Sequence, residues 1–95
     1  MKKTTNHNAF VLNHLIDHGY ITPAIAQQYR VTRLAARIFD LRNQPEPVNV
    51  YSELRYDDLG QRYTHYFIDD LERETQRGLR RVRAQWSERH ALAAA

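Results

Sequence analysis

Four arginines between positions 30 and 42 are the side chains of this 95-residue chain best suited to chemistry. They are Arg30, Arg33, Arg37 and Arg42. A guanidinium is a flat fork of N–H donors that meets phosphate oxygens, or the O6 and N7 of a guanine, two bonds at a time. Over residues 20–44 these four cations face one acid, Asp40, whereas residues 45–68 carry Glu46, Glu53, Asp57 and Asp58 against Arg55 and Arg62. Positive charge gathered in one stretch is the footprint of a polyanion binder. The plainer alternative is a solvated helix face.

The elements around the arginines read as two short helices joined at Tyr29-Arg30-Val31-Thr32. Thr22 is a hydroxyl cap, and Pro23 stands at the first helical position, where its missing N–H costs nothing. Ile25, Ala26 and Tyr29 recur at helical spacing and give the first of the pair a buried side. Thr32 is expected to cap the second helix, over about 32–43. There Leu34, Ala35, Ile38 and Leu41 form an inner stripe, and Thr32, Arg33, Ala36, Arg37 and Asp40 an outer one. A helix with an arginine-bearing outer side, packed on a short preceding helix, is a helix-turn-helix arrangement.

Upstream, capping residues precede an expected helix over 6–18, with Phe10, Leu12, Leu15 and Ile16 inward and Gly19 as its stop. Tyr20 and Ile21 form a short extended link. Downstream, Pro45 and Pro47 end the second helix of the pair. Residues 48–56 and 62–68 then alternate around Asp57-Asp58-Leu59-Gly60-Gln61, with Gly60 available for a positive φ, which predicts a hairpin. The aromatics of this hairpin, Tyr51, Tyr56, Tyr63, Tyr66 and Phe67, could stack on bases, but in a small hairpin they are expected mostly as core. From Asp69 the pattern turns helical again. Leu71, Leu79, Val82 and Trp86 make a sparse apolar seam among Arg73, Arg77, Arg80, Arg81, Arg83 and Arg89.

Several functions are excluded. Without cysteine there is no disulfide framework and no thiolate metal site. His14 and His18 have the four-residue spacing of a zinc pair, yet only Asp17 stands near, and zinc needs at least three protein ligands. No Gly-rich phosphate loop or nucleophile elbow occurs, and the pairs Asp57-Asp58 and Asp69-Asp70 lie in a turn and at a helix start. The chain reads as no enzyme, with no cofactor and no small-molecule substrate. No apolar run would span a bilayer, and the N-terminal MKKTTNHN lacks the apolar region of a signal peptide. A soluble, cytoplasmic protein of a bacterial or phage-infected cell is expected.

With helix, helix pair and hairpin in order, the chain resembles the winged helix-turn-helix superfamily. More narrowly it resembles the small helix-turn-helix domains of phages and other mobile elements. The residues that carry this are ITPAIAQQYRVTRLAARIFDLR at 21–42, over a match spanning about 6–68. Where such domains continue with glycine and a β-branched residue, this chain has Pro45-Glu46-Pro47. The expected fold is mainly α with a β-hairpin (α+β), a winged helix-turn-helix over 6–68, flanked by a flexible N-terminus at 1–5 and an Arg-rich helix at 69–95. The resemblance implies binding of double-stranded DNA in transcriptional control. The expected contacts are Gln28, Arg30, Thr32, Arg33, Ala36, Arg37 and Arg42, with Arg55 and Arg62 as wing contacts. The C-terminal seam Leu71, Leu79, Val82 and Trp86 is a candidate homodimer interface; alternatively the arginines of this helix lie along DNA, or the helix is a solvated amphipathic one. Two alternatives share this scaffold: a protein-interaction or inhibitor module using the acidic wing, and an accessory DNA-binding factor in replication or excision.

Overall fold

The computed structural model describes the backbone of residues 6–94 and the side chains of residues 6–86. The expected flexible segment 1–5 and the Arg89 side chain lie outside them. Helix α1 runs His7–His18, with the Asn6 side chain accepting from the Ala9 N–H and Gly19 closing it in the left-handed conformation at φ 87°. The Gly19 N–H returns to the Leu15 carbonyl. Strand β1, Tyr20–Ile21, leads to α2, Pro23–Gln28, whose Thr22 hydroxyl accepts from the Ile25 N–H as expected. Helix α3 is Leu34–Asn43, and the hairpin comprises β2, Tyr51–Tyr56, and β3, Arg62–Phe67. The long α4 covers Asp70–Ala94. Its first turn is capped by Asp69, whose carboxylate accepts from the Glu72 N–H at 2.8 Å.

The sheet is antiparallel in the order β1-β3-β2. Tyr20 pairs with Phe67 and Ile21 with Tyr66, so the extended link after α1 is a third strand on the wing. The core gathers Val11, Leu15, Ile21, Ala26, Val31, Leu34, Ile38, Leu41, Val48, Val50 and Ile68. Val48 and Val50 belong to it although they precede the strand: β2 starts at Tyr51, not at residue 48. The Val48 N–H donates to the Leu41 carbonyl, which turns the chain back after the proline pair.

Two expectations about packing are corrected. Ala35 is exposed and Tyr29 is 53% exposed, its ring resting on Phe10 at 5.1 Å; Leu34, Ile38 and Leu41 alone form the buried stripe of α3. The hairpin aromatics are mostly outside the core; of the five, Tyr66 packs against the core cluster. Every residue of β2 is exposed, and Tyr63, Tyr66 and Phe67 on β3 are half-buried. Alternation gives a strand two faces, but among the described residues the main contacts of this hairpin with other elements are those of β3 with β1 and α2.

Helix α4 is held to α1 largely by guanidinium groups. Arg73 donates through Nε to the Ile16 carbonyl and through Nη2 to the Asp17 carbonyl, both at 2.6 Å. A cation at a helix C-terminus also meets the negative end of its dipole. Arg80 bonds Asn13 and the Asp17 carboxylate, whose pKa this contact holds below the usual carboxylate range. Arg83 reaches Glu46. Among the described residues of α4, Gln76 is the buried polar one, donating to Glu72. Among the described residues, no helix is long and apolar enough to cross a membrane.

Candidate nucleic-acid interface

The turn between α2 and α3 carries Arg30 and Arg33, and its geometry follows from two hydrogen bonds. The Val31 N–H reaches back to the Ala26 carbonyl at 2.8 Å and the Arg30 N–H to the Gln27 carbonyl at 3.0 Å. These are the two bonds of a Schellman ending, in which the residue after the cap adopts the left-handed conformation and the next apolar residue packs on the helix. That apolar residue is Val31, buried with Ala26. The left-handed residue is Arg30, at φ 61°. Glycine is the usual occupant of such a position, because a Cβ there costs roughly 1–2 kcal/mol.

A second arginine repeats the exception. Arg33 caps α3 at φ 55° and ψ 56°, and no side chain accepts from the first N–H groups of the helix. Thr32 therefore does not cap α3, and the helix starts at Leu34, two residues later than the sequence pattern predicts. The reason is Val31: pinning it in the core and to Ala26 uses up Thr32 and Arg33 in bringing the chain round. Both arginines are exposed, and together with Pro23, Ala26, Gln27, Val31, Thr32 and Leu34 they line a shallow open cavity of about 310 Å³. Gln28 and Thr32 are exposed beside them.

The remaining predicted contacts separate from this group. Arg37 is half-buried, its Nη2 lies 3.5 Å from Asp40, and its Nε is buried without a partner. Asp40 also accepts from the Asn8 amide of α1 at 3.2 Å. Arg37 thus sits at the side of α3 that borders α1, and Ala36 is half-buried as well. Arg42 donates through Nε and Nη2 to the Val50 carbonyl at 2.9 and 2.7 Å, so its fork positions the entry into β2. On the wing, Arg55 pairs with Glu53 at 3.0 Å and Arg62 is exposed. Asp57 is a turn former: its Oδ1 accepts from the N–H groups of Leu59 and Gln61, each at 2.9 Å.

One residue at this face escaped the sequence reading. Phe39 is 64% exposed on α3, one turn after the exposed Ala35 and one before the exposed Asn43. Projecting the helix at about 100° per residue places Phe39 and Asn43 on the side away from Leu34, Ile38 and Leu41 with Ala35 on the adjoining flank, and an apolar side chain at Phe39 was the signal.

His14 and His18 face each other on α1. His14 contacts the Tyr20 carbonyl through Nδ1 at 3.0 Å and lies 4.4 Å from the His18 ring, and burial pushes its pKa below the usual imidazole value. Among the described residues, no group of three metal-binding side chains occurs.

A family model described as a winged helix-turn-helix domain matches residues 7–70, and the chain belongs to that family, a DNA-binding type of domain. No curated protein matches, and no solved structure matches.

Proposed function

We propose that this winged helix-turn-helix chain binds double-stranded DNA sequence-specifically and acts as a transcriptional regulator of the phage or mobile-element kind, in the cytoplasm of a bacterial or infected cell. Helix α3 enters the major groove, and occupancy of the site governs access to a promoter. The observation that carries this reading is the pair Arg30 and Arg33, held in left-handed conformations at the turn where glycine would cost less. Backbone strain retained at one surface site points to a use for the side chains placed there. In this pose Arg30, Gln28 and Thr32 meet phosphates, which fix register, and Arg33 reaches a base edge or the adjoining phosphate. Arg37 and Arg42 act mainly on the protein, orienting α3 against α1 and the wing against α3. The wing, with Asp57 and Asp58 at its turn, adds little affinity through Arg55 and Arg62.

A salt series tests this. The full chain titrated with random duplex DNA should lose affinity linearly in log–log form, with a slope near −0.9 for each phosphate contacted. Absence of binding even at low salt would remove DNA as the partner. That result would favour the second reading, a protein-interaction module, which is supported by the fully exposed β2 strand with Leu54 at 55% and Tyr56 at 62% exposure.

The active form is proposed as a homodimer joined along α4. Leu71, Val82 and Trp86 are exposed on that helix, while Leu79 is half-buried. Two copies related by a twofold axis would present two α3 helices to a pair of half-sites. Light scattering of Val82→Glu beside the unaltered chain decides it: a dimeric mass falling to monomeric supports the seam, and a monomer in both removes it.

A further inference from the structure

We propose, resting on the DNA-docking reading above, that Phe39 sets base preference by contacting the 5-methyl group of thymine in the major groove, with Ala35 completing the contact. The outward stripe of α3 is Ala35, Phe39 and Asn43, all exposed. It offers a base pair an aromatic ring and a methyl where hydrogen-bonding cations would be expected. Arg37 is turned to Asp40 at the α1 border, Arg42 is bonded to the Val50 carbonyl, and Arg30 and Arg33 stand in the turn before the helix. The Asn43 amide donates to the carbonyl of Phe39 at 2.8 Å, tightening the last turn beneath the ring.

The base edges of the major groove are donors and acceptors with one apolar exception, the thymine methyl, and apolar side chains are the groups that recognise it. An isolated exposed aromatic is ordinary on a protein surface. Phe39 differs by its place, in the middle of the outward stripe of the helix that this kind of domain presents to DNA. Its surroundings add to this: the buried stripe Leu34, Ile38 and Leu41 is complete without it, so the ring is not needed for the core. A methyl brought out of water against Phe39 and Ala35 contributes about fourfold in affinity, the ordinary value for one buried carbon.

The test removes only that methyl. The full chain selects duplexes from a randomised pool, and the strongest is resynthesised with deoxyuridine replacing thymidine at one position at a time. The expected result is that at one or two positions the uracil duplex binds about fourfold more weakly. Phe39→Ala, which keeps its helical circular dichroism because the ring is outside the core, should bind the thymine and uracil duplexes equally. Phe39→Leu should retain part of the difference. Selected duplexes without thymine in common, or equal affinity for both bases in the unaltered chain, would overturn the role of Phe39 while leaving sequence-specific DNA binding in place. No salt-sensitive binding to any duplex would overturn both. An unchanged thymine preference in Phe39→Ala would assign the methyl contact to another residue.

Discussion

The hairpin turn and the turn between α2 and α3 both use left-handed backbone, and they are built from opposite materials. The hairpin turn uses Gly60 at φ 80°, with open space around the position a Cβ would take, and an Asp57 carboxylate that satisfies two backbone N–H groups. The turn between α2 and α3 places Arg30 and Arg33 at φ 61° and 55°. The end of α1 supplies a control, because its left-handed closing residue is Gly19. Where the chain has only to reverse direction, it uses the residue with the lowest conformational cost. Where it uses arginine instead, the backbone costs more, and on the DNA reading proposed above that cost is set against the position of a guanidinium.

The contrast can be broken most directly through binding. Arg30→Gly combined with Arg33→Gly should weaken duplex DNA binding by about 1–3 kcal/mol for a base contact at Arg33, together with a salt slope shallower by about one for each lost phosphate contact. Fluorescence anisotropy over a salt series measures both, and unchanged affinity would mean that the strained turn serves something other than DNA. The next effect is on stability and has opposite signs at the two turns. Gly60→Ala forces a Cβ into left-handed backbone and should cost about 1–2 kcal/mol. Arg30→Gly relieves the same strain, less the added freedom of glycine in the unfolded chain, and should stabilise by up to about 1 kcal/mol. Chemical denaturation of the two variants reads the signs; a loss in both would place a structural contact on Arg30. The smallest effect is electrostatic. Asp58→Lys, at an exposed position in the hairpin turn, should strengthen nonspecific DNA binding a few-fold at low salt and not at high salt, where the ~3 Å screening length at 1 M isolates the charges. Weaker binding would contradict an acidic tip that repels phosphate.

What could be read in advance was local. Thr22 and Pro23 opening α2, Gly19 closing α1 and Asp69 opening α4 were legible because a cap is settled by residues within one helical turn. The buried stripe of α3 followed from its 3.6-residue period. The destinations of the arginines did not. Arg42 ends on the Val50 carbonyl and Arg73 on carbonyls of α1 more than fifty positions away in sequence, and a guanidinium's partner is chosen by tertiary proximity. Thr32 carries a good capping side chain, yet the burial of Val31 moved the cap to Arg33. Alternation in the hairpin was real, but a period of two does not say whether anything lies over either face, and Tyr51, Leu54 and Tyr56 are exposed.

Every arginine codon becomes a glycine codon by one change at its first base. The two left-handed arginines therefore stand a single mutation from a more relaxed backbone, and random mutagenesis reaches that state readily. A library screened for thermal resistance alone should enrich Arg30→Gly and Arg33→Gly early, and one screened for operator retention should deplete them. On the DNA reading proposed above, the α2–α3 turn is a place where selection for persistence and selection for recognition pull the same two codons in opposite directions.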